Sequence, residues 1–189
     1  MYHNLQVHSA YDLLNSTIKY ESLFSKLAKD NQKSVVIVDP NMYGAIKAHK
    51  QAKKAGINLI QGLEVSLGYG IGLLKFNLLC KFEKMFYKLL EISTKLMNGE
   101  EWTVEDFSND MLDYKDDFVL IVVDELRDSM EFSYLKNLLS KYNFYFGFNE
   151  SFQVGLYSDY DNIVYTKPSF YLNKEHYQQV IVSRAIRDN

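Results

Sequence analysis

The chain of 189 residues is 47% hydrophobic and 24% charged, a balance that supports a buried core and excludes a largely disordered chain. Its net charge of −3 lacks the basic excess of a dedicated nucleic-acid binder. The one cysteine, Cys80, excludes an internal disulfide and suits a reducing compartment.

In chain order, residues 5–7 and 34–38 predict the first two strands. Residues 42–55 predict a helix, with Ala45, Ala48, Ala52 and Ala55 at helical spacing and Lys47, Lys50, Lys53 and Lys54 mostly on other faces. Residues 57–65 predict a third strand. The run Gly68-Tyr69-Gly70-Ile71-Gly72 lacks both the GxGxxG spacing and the Lys–Ser/Thr of a phosphate loop, so it is expected to be a turn. The apolar windows 71–80 and 118–123 are too short to span a bilayer, and Lys75 interrupts the first. No signal-peptide pattern follows Met1, and the expected location is the cytoplasm.

Residues 82–96 predict a helix with the stripe Phe82, Met85, Phe86, Leu89, Ile92 and Leu96. Thr103, with Asp106 three residues on, is expected to cap another. Further strands are expected at 118–123, 144–148 and 163–166, and further helices at 133–142 and 174–187. The strands lack long polar alternation, so they should be buried on both faces. Repeated strand–helix units imply an α/β fold with largely parallel strands, outer helices and right-handed crossovers. About six or seven units fit a distorted (β/α)7-type barrel better than eight-fold closure. The whole chain is expected to form one domain.

The candidate chemistry sits at strand ends, where barrel enzymes carry theirs. Gln6 and His8, two apart, share one face of the first strand. Asp39 ends the second, before Asn41-Met42-Tyr43-Gly44, and Glu64 lies in Gln61-Gly62-Leu63-Glu64-Val65. In order and spacing these segments resemble the polymerase-and-histidinol-phosphatase (PHP) domain of bacterial DNA polymerase III alpha subunits. That family has His-x-His-Ser, then Leu-Leu-Asp-Gly, Thr-Asp-His with Gly-Asn-Met-x-Gly, and Gly-x-Glu-Val. Tyr11-Asp12-Leu13-Leu14-Asn15-Ser16 stands at the Leu-Leu-Asp-Gly turn, and Tyr171-Leu172-Asn173-Lys174-Glu175 resembles the segment that closes the domain. The resemblance covers essentially the whole chain.

Active members, the resemblance implies, hold about three metal ions through nine or so His, Asp, Glu and Cys ligands, and these ions activate water for phosphoester hydrolysis. Here Gln6 replaces the first His, Asn15 the Asp of the turn, Pro40 the His after Asp39, and Lys75 a further His. Pro168-Ser169-Phe170 stands where the family has Asp-x-His, and residues 124–127 supply no Cys or His. His8 and Glu64 remain as ligand positions, with Asp39 as a supporting partner. Amides and a ring are poor substitutes for carboxylate and imidazole, so no metal cluster, cofactor or catalytic residue is expected in this domain. Lys75 either pairs with Glu64 or Asp39 in the vacated cavity or is a surface lysine on an edge strand. His3, His49 and His176 are expected to be solvated, and Cys80 to be a small core residue.

The function expected from this pattern is a non-catalytic scaffold at the start of a replicative DNA polymerase. The chain would be the N-terminal fragment of a much longer protein that performs DNA-directed DNA synthesis, with divalent metal only at its distant polymerase site. Its partners would be the remainder of that polymerase and a proofreading exonuclease subunit, with DNA met through the full-length protein and no membrane. The alternatives are a residual metal-dependent 3′–5′ exonuclease or phosphoesterase, and a free-standing PHP-type phosphatase.

Overall fold

The computed structural model describes residues 4–69, 72–123, 129–149 and 162–188. The elements run α1 (Tyr20–Lys29), β1 (Ser34–Asp39), α2 (Ala45–Ala55), β2 (Asn58–Tyr69), β3 (Gly72–Cys80), α3 (Phe86–Met97), α4 (Val104–Asp110), β4 (Phe118–Val122), α5 (Ser129–Leu139), β5 (Phe144–Phe148), β6 (Ile163–Tyr165) and α6 (Tyr177–Arg187). The strands are hydrogen-bonded in the order β1-β2-β3-β4-β5-β6. The chain divides into two compact units, Met1–Leu63 with Lys167–Asn189, and Glu64–Thr166.

In the first unit, β1 pairs in parallel with the start of β2, from Ser34 opposite Asn58 to Asp39 opposite Leu63. Val35 to Asp39 are all buried, as a parallel strand covered on both faces requires. Val7, Ile18, Leu23, Phe24, Ile37 and Ala52 lie in one core; burying a side chain as large as Phe24 or Ile37 contributes roughly 1.5–3 kcal/mol. Ala45, Ala48 and Ala52 form the buried face of α2, and their size allows close packing. Gly56 ends that helix at φ 67°, a left-handed conformation that glycine adopts without a Cβ clash. Lys47 of α2 pairs with Glu21 of α1 at 2.9 Å.

In the second unit, β3 and β4 are antiparallel, with Phe76 opposite Val122 and Cys80 opposite Phe118. β4–β5 and β5–β6 are parallel. The core is aromatic: Phe107 meets Phe76 edge-on at 4.9 Å and Trp102 at 5.4 Å. Thr103 caps α4 as expected, since its hydroxyl accepts from the Asp106 amide while the Asp106 carboxylate accepts from the Thr103 amide.

The elements differ from expectation in specific places. The first expected strand is reduced to single bridges at Val7, which pairs with Ile37 and Ser169. The strand expected at Lys75 is β3, β2 runs four residues further than expected, and α1 was not among the expected helices. The stripe Tyr20, Leu23, Phe24, Leu27 spells α1 out in the sequence. Phe82 is exposed rather than in the buried stripe of its helix, because the chain there forms a short 3-10 turn before α3 begins at Phe86. Of the turn expected over residues 68–72, Gly68 and Tyr69 end β2 and Gly72 begins β3, while Gly70 and Ile71 lie outside the described residues.

Candidate functional site

The site is built at the end of β1, where three chain segments meet by backbone hydrogen bonds. Val7 N–H donates to Val36 O at 3.2 Å and Val38 N–H to Val7 O at 2.9 Å. On the other side, His8 N–H donates to Ser169 O at 3.0 Å and Ser169 N–H to Gln6 O at 2.9 Å. Residues 6–8 are therefore wedged between β1 and the closing segment. This register aligns Gln6, His8, Asp39 and Phe170 in one unit.

Asp39, 2% exposed, has its carboxylate taken up by protein donors. Ser9 N–H donates to Oδ1 at 2.6 Å, and Ser9 Oγ–H donates to Oδ2 at 2.5 Å. The Tyr20 hydroxyl stands 3.4 Å from Oδ2 and 3.1 Å from Ser9 Oγ. Burial raises the Asp39 carboxyl above the usual carboxylate range, against the opposing pull of the two Ser9 bonds. Burial and then the Asp39 charge raise the Tyr20 phenol in turn.

His8 is 1% exposed, and both of its ring nitrogens face protein groups. Nε2 lies 3.4 Å from the Gln6 amide nitrogen. Nδ1 lies 3.0 Å from Asp12 Oδ2, at ion-pair distance but without hydrogen-bond alignment. The same Asp12 oxygen accepts from Asn15 Nδ2 at 2.6 Å. The ring of Phe170 stacks on His8 with centroids 4.7 Å apart. The Arg184 guanidinium of α6 also lies over the Phe170 ring, 4.3 Å from its centroid, and Arg184 Nε donates to Asn15 Oδ1 at 2.8 Å.

The first unit thus brings together Gln6, His8, Asn15, Asp39 and Phe170, with Pro40 directly after Asp39. Pro168, also in this unit, is half-buried two residues before Phe170. Glu64 and Lys75 belong to the second unit, on β2 and β3, half-buried and exposed respectively. β3 is flanked by β2 and β4, so Lys75 is not on an edge strand. Residues 124–127 and His3 lie outside the described residues. Sequence reasoning passed over Asp12, Tyr20 and Arg184. Asp12 has a local signal, four residues after His8; Arg184 has none, standing 169 residues from its partner Asn15.

A multinuclear metal centre needs several anionic or imidazole donors aimed at a shared point. Here Gln6 and Asn15 offer neutral amides, Phe170 a hydrocarbon ring, and the Asp39 oxygens are already acceptors. Among the described residues, no three His, Cys, Asp or Glu side chains are grouped to hold a metal ion. This donor set does not fit such a centre. A cavity of about 230 Å³ in the same unit is lined by Val7, Leu23, Leu27, Ser34 and Val35 among others, at the start of β1 rather than at Asp39. Among the described residues, no helix is long and apolar enough to cross a membrane.

Residues 4–143 match the family model described as "PHP domain". The DNA polymerase III subunit alpha of Staphylococcus epidermidis is 26% identical over 189 residues, covering 98% of this chain and 17% of that protein. The Bacillus subtilis subunit of the same name is 38% identical over 99 residues, covering 50% of this chain and 9% of its own length. That of Mycoplasma genitalium is 34% identical over 93 residues, or 49% of this chain and 11% of the relative. The chain therefore spans only a small fraction of these relatives. Among solved structures, an amidohydrolase from Chromobacterium violaceum, with bound sulfate and no metal, superposes with a TM-score of 0.61 at 9% identity and 96% coverage of both chains. A candidate metal-dependent phosphoesterase from Bifidobacterium adolescentis gives 0.59 at 8% identity and the same coverage. At these identities the two structures show a shared fold.

Proposed function

The chain belongs to the PHP domain family, and from that premise we propose that it is the N-terminal PHP domain of a replicative polymerase of the DNA polymerase III alpha type, serving there as a metal-free, non-catalytic scaffold. The polymerase placement is supported by a match to such a subunit along 98% of this chain. In that setting DNA synthesis and its divalent metal belong to a distant part of the full-length protein. The domain's partners are the remainder of that polymerase and a proofreading exonuclease subunit, and its location is the cytoplasm.

One observation carries the non-catalytic reading: the groups left at the candidate site are turned toward one another. His8 stands between the Gln6 amide, Asp12 and the Phe170 ring, and both Asp39 oxygens accept from Ser9. A hydrolytic centre needs open coordination positions and a water to activate. Side chains engaged with one another in packing and polar contacts are not set out for either.

The test is hydrolysis of a 3′-ended single-stranded oligonucleotide and of p-nitrophenyl phosphate with manganese or zinc added. No turnover above the protein-free rate is expected. Turnover that disappears in His8→Ala would replace the scaffold with a residual metal-dependent phosphoesterase.

A further inference from the structure

We propose that Arg184 is a half-buried clasp cation of this site, taking over the charge-balancing and clasping role at positions where the family resemblance places metal ligands. The proposal rests on the metal-free reading above and adds to it a group that no local pattern in the sequence marks.

The geometry is a closed circuit of five side chains. Arg184 Nε donates to Asn15 Oδ1 at 2.8 Å, and Asn15 Nδ2 donates to Asp12 Oδ2 at 2.6 Å. That oxygen lies 3.0 Å from His8 Nδ1. His8 stacks on Phe170 at 4.7 Å, and Phe170 receives the Arg184 guanidinium on its face at 4.3 Å. Three of the five, His8, Asn15 and Phe170, stand at positions where the resemblance places ligands.

A metal ion does two things at such a place: it balances nearby negative charge and ties distant segments together. The circuit does both with protein groups. Asp12 is 7% exposed, and a buried carboxylate needs donors and a nearby positive charge. Asn15 relays the guanidinium to it, because an amide accepts at its oxygen while donating from its nitrogen. A carboxylate at position 15 could accept from Arg184 but could not donate to Asp12. The planar guanidinium suits this place, since it stacks on an aromatic face while donating in its own plane. The span matters as well, for the Arg184–Asn15 bond joins residues 169 apart and fixes α6 to the loop that follows His8.

The test is a double-mutant cycle in the 189-residue chain, read by chemical denaturation at neutral pH. Asn15→Asp puts a second carboxylate beside Asp12. With Arg184 present the new charge is neutralised, and the unfolding constant rises by less than about three-fold. In Arg184→Ala the same change raises it by about ten-fold or more. Arg184→Lys keeps the charge and restores part of the tolerance; Arg184→Gln removes the charge with most of the length and does not, and it stands in for alanine should that chain fail to fold.

An equal effect of Asn15→Asp in all backgrounds would reduce Arg184 to packing and overturn the proposal. Zinc content, measured on the same samples, separates the two claims. Zinc held by the wild-type chain defeats the metal-free reading, whereas a flat cycle without zinc defeats the clasp alone.

Discussion

The ring of Phe170 lies against the imidazole of His8, with 4.7 Å between centroids and 28° between planes. The family resemblance places a histidine at position 170, where this chain has a hydrocarbon ring. Stacking of this kind contributes about 0.5–1.5 kcal/mol beyond the area it buries. Phe170→His should therefore cost stability and leave activity absent, because one restored imidazole does not rebuild a donor set. Thermal melting should show a lowered Tm, and a phosphoesterase assay should stay blank; hydrolysis gained by this single change would contradict the account.

Asp39 gives the pH dependence. Burial raises its folded-state pKa, so the folded chain holds this proton more tightly than the unfolded one. Between the ordinary carboxylate value and the raised one, stability falls as pH rises, and the contribution is gone above the folded value. Asp39→Asn removes the titration while preserving the shape. The stability of wild type minus that of Asp39→Asn should decline across this window, measured by denaturation at a series of pH values. A difference that grows with pH would show that the Ser9 bonds outweigh burial.

Gly44 allows the approach of two tyrosines. A Cβ built there would overlap the Tyr11 ring and the Tyr20 hydroxyl, so Gly44→Ala must push aside Tyr20 and with it the Asp39 network. Overpacking of this kind costs about 1–3 kcal/mol, readable as a lowered denaturation midpoint. An unchanged midpoint would mean that the tyrosines move freely.

These networks were unevenly legible in the sequence. His8 and Asp39, with Gln6, Asn15 and Phe170 at positions where the resemblance places ligands, could be picked out because ordered motifs carry them, and β1 and α2 because their apolar spacing is plain. The wedge at Val7 was not legible as a short bridge, since three apolar-flanked residues look the same in a bridge and in a strand. The sequence leaves Lys75 between a charge partner and a surface lysine, and the structure places it exposed on β3, while Arg184, which no motif marks, meets Asn15 and Phe170. Contacts between residues 15 and 184 depend on tertiary closure, which no local period records.

Cys80 supplies a probe of the second unit. Burial pushes its thiol up to about 12, so at pH 8.5 its thiolate fraction, and with it alkylation by iodoacetamide, should fall roughly 1,000-fold below that of a free thiol. Mass spectrometry over time would follow the modification. Labelling at the rate seen in denaturant would show that β3 opens readily.

The account turns on side chains that engage one another where a hydrolase would chelate. Equilibrium dialysis of the purified chain against micromolar zinc or manganese, followed by elemental analysis, addresses this directly. The predicted result is no saturable retention by the wild-type chain. Two or more ions held per chain, and lost on changing His8 to alanine, would contradict it.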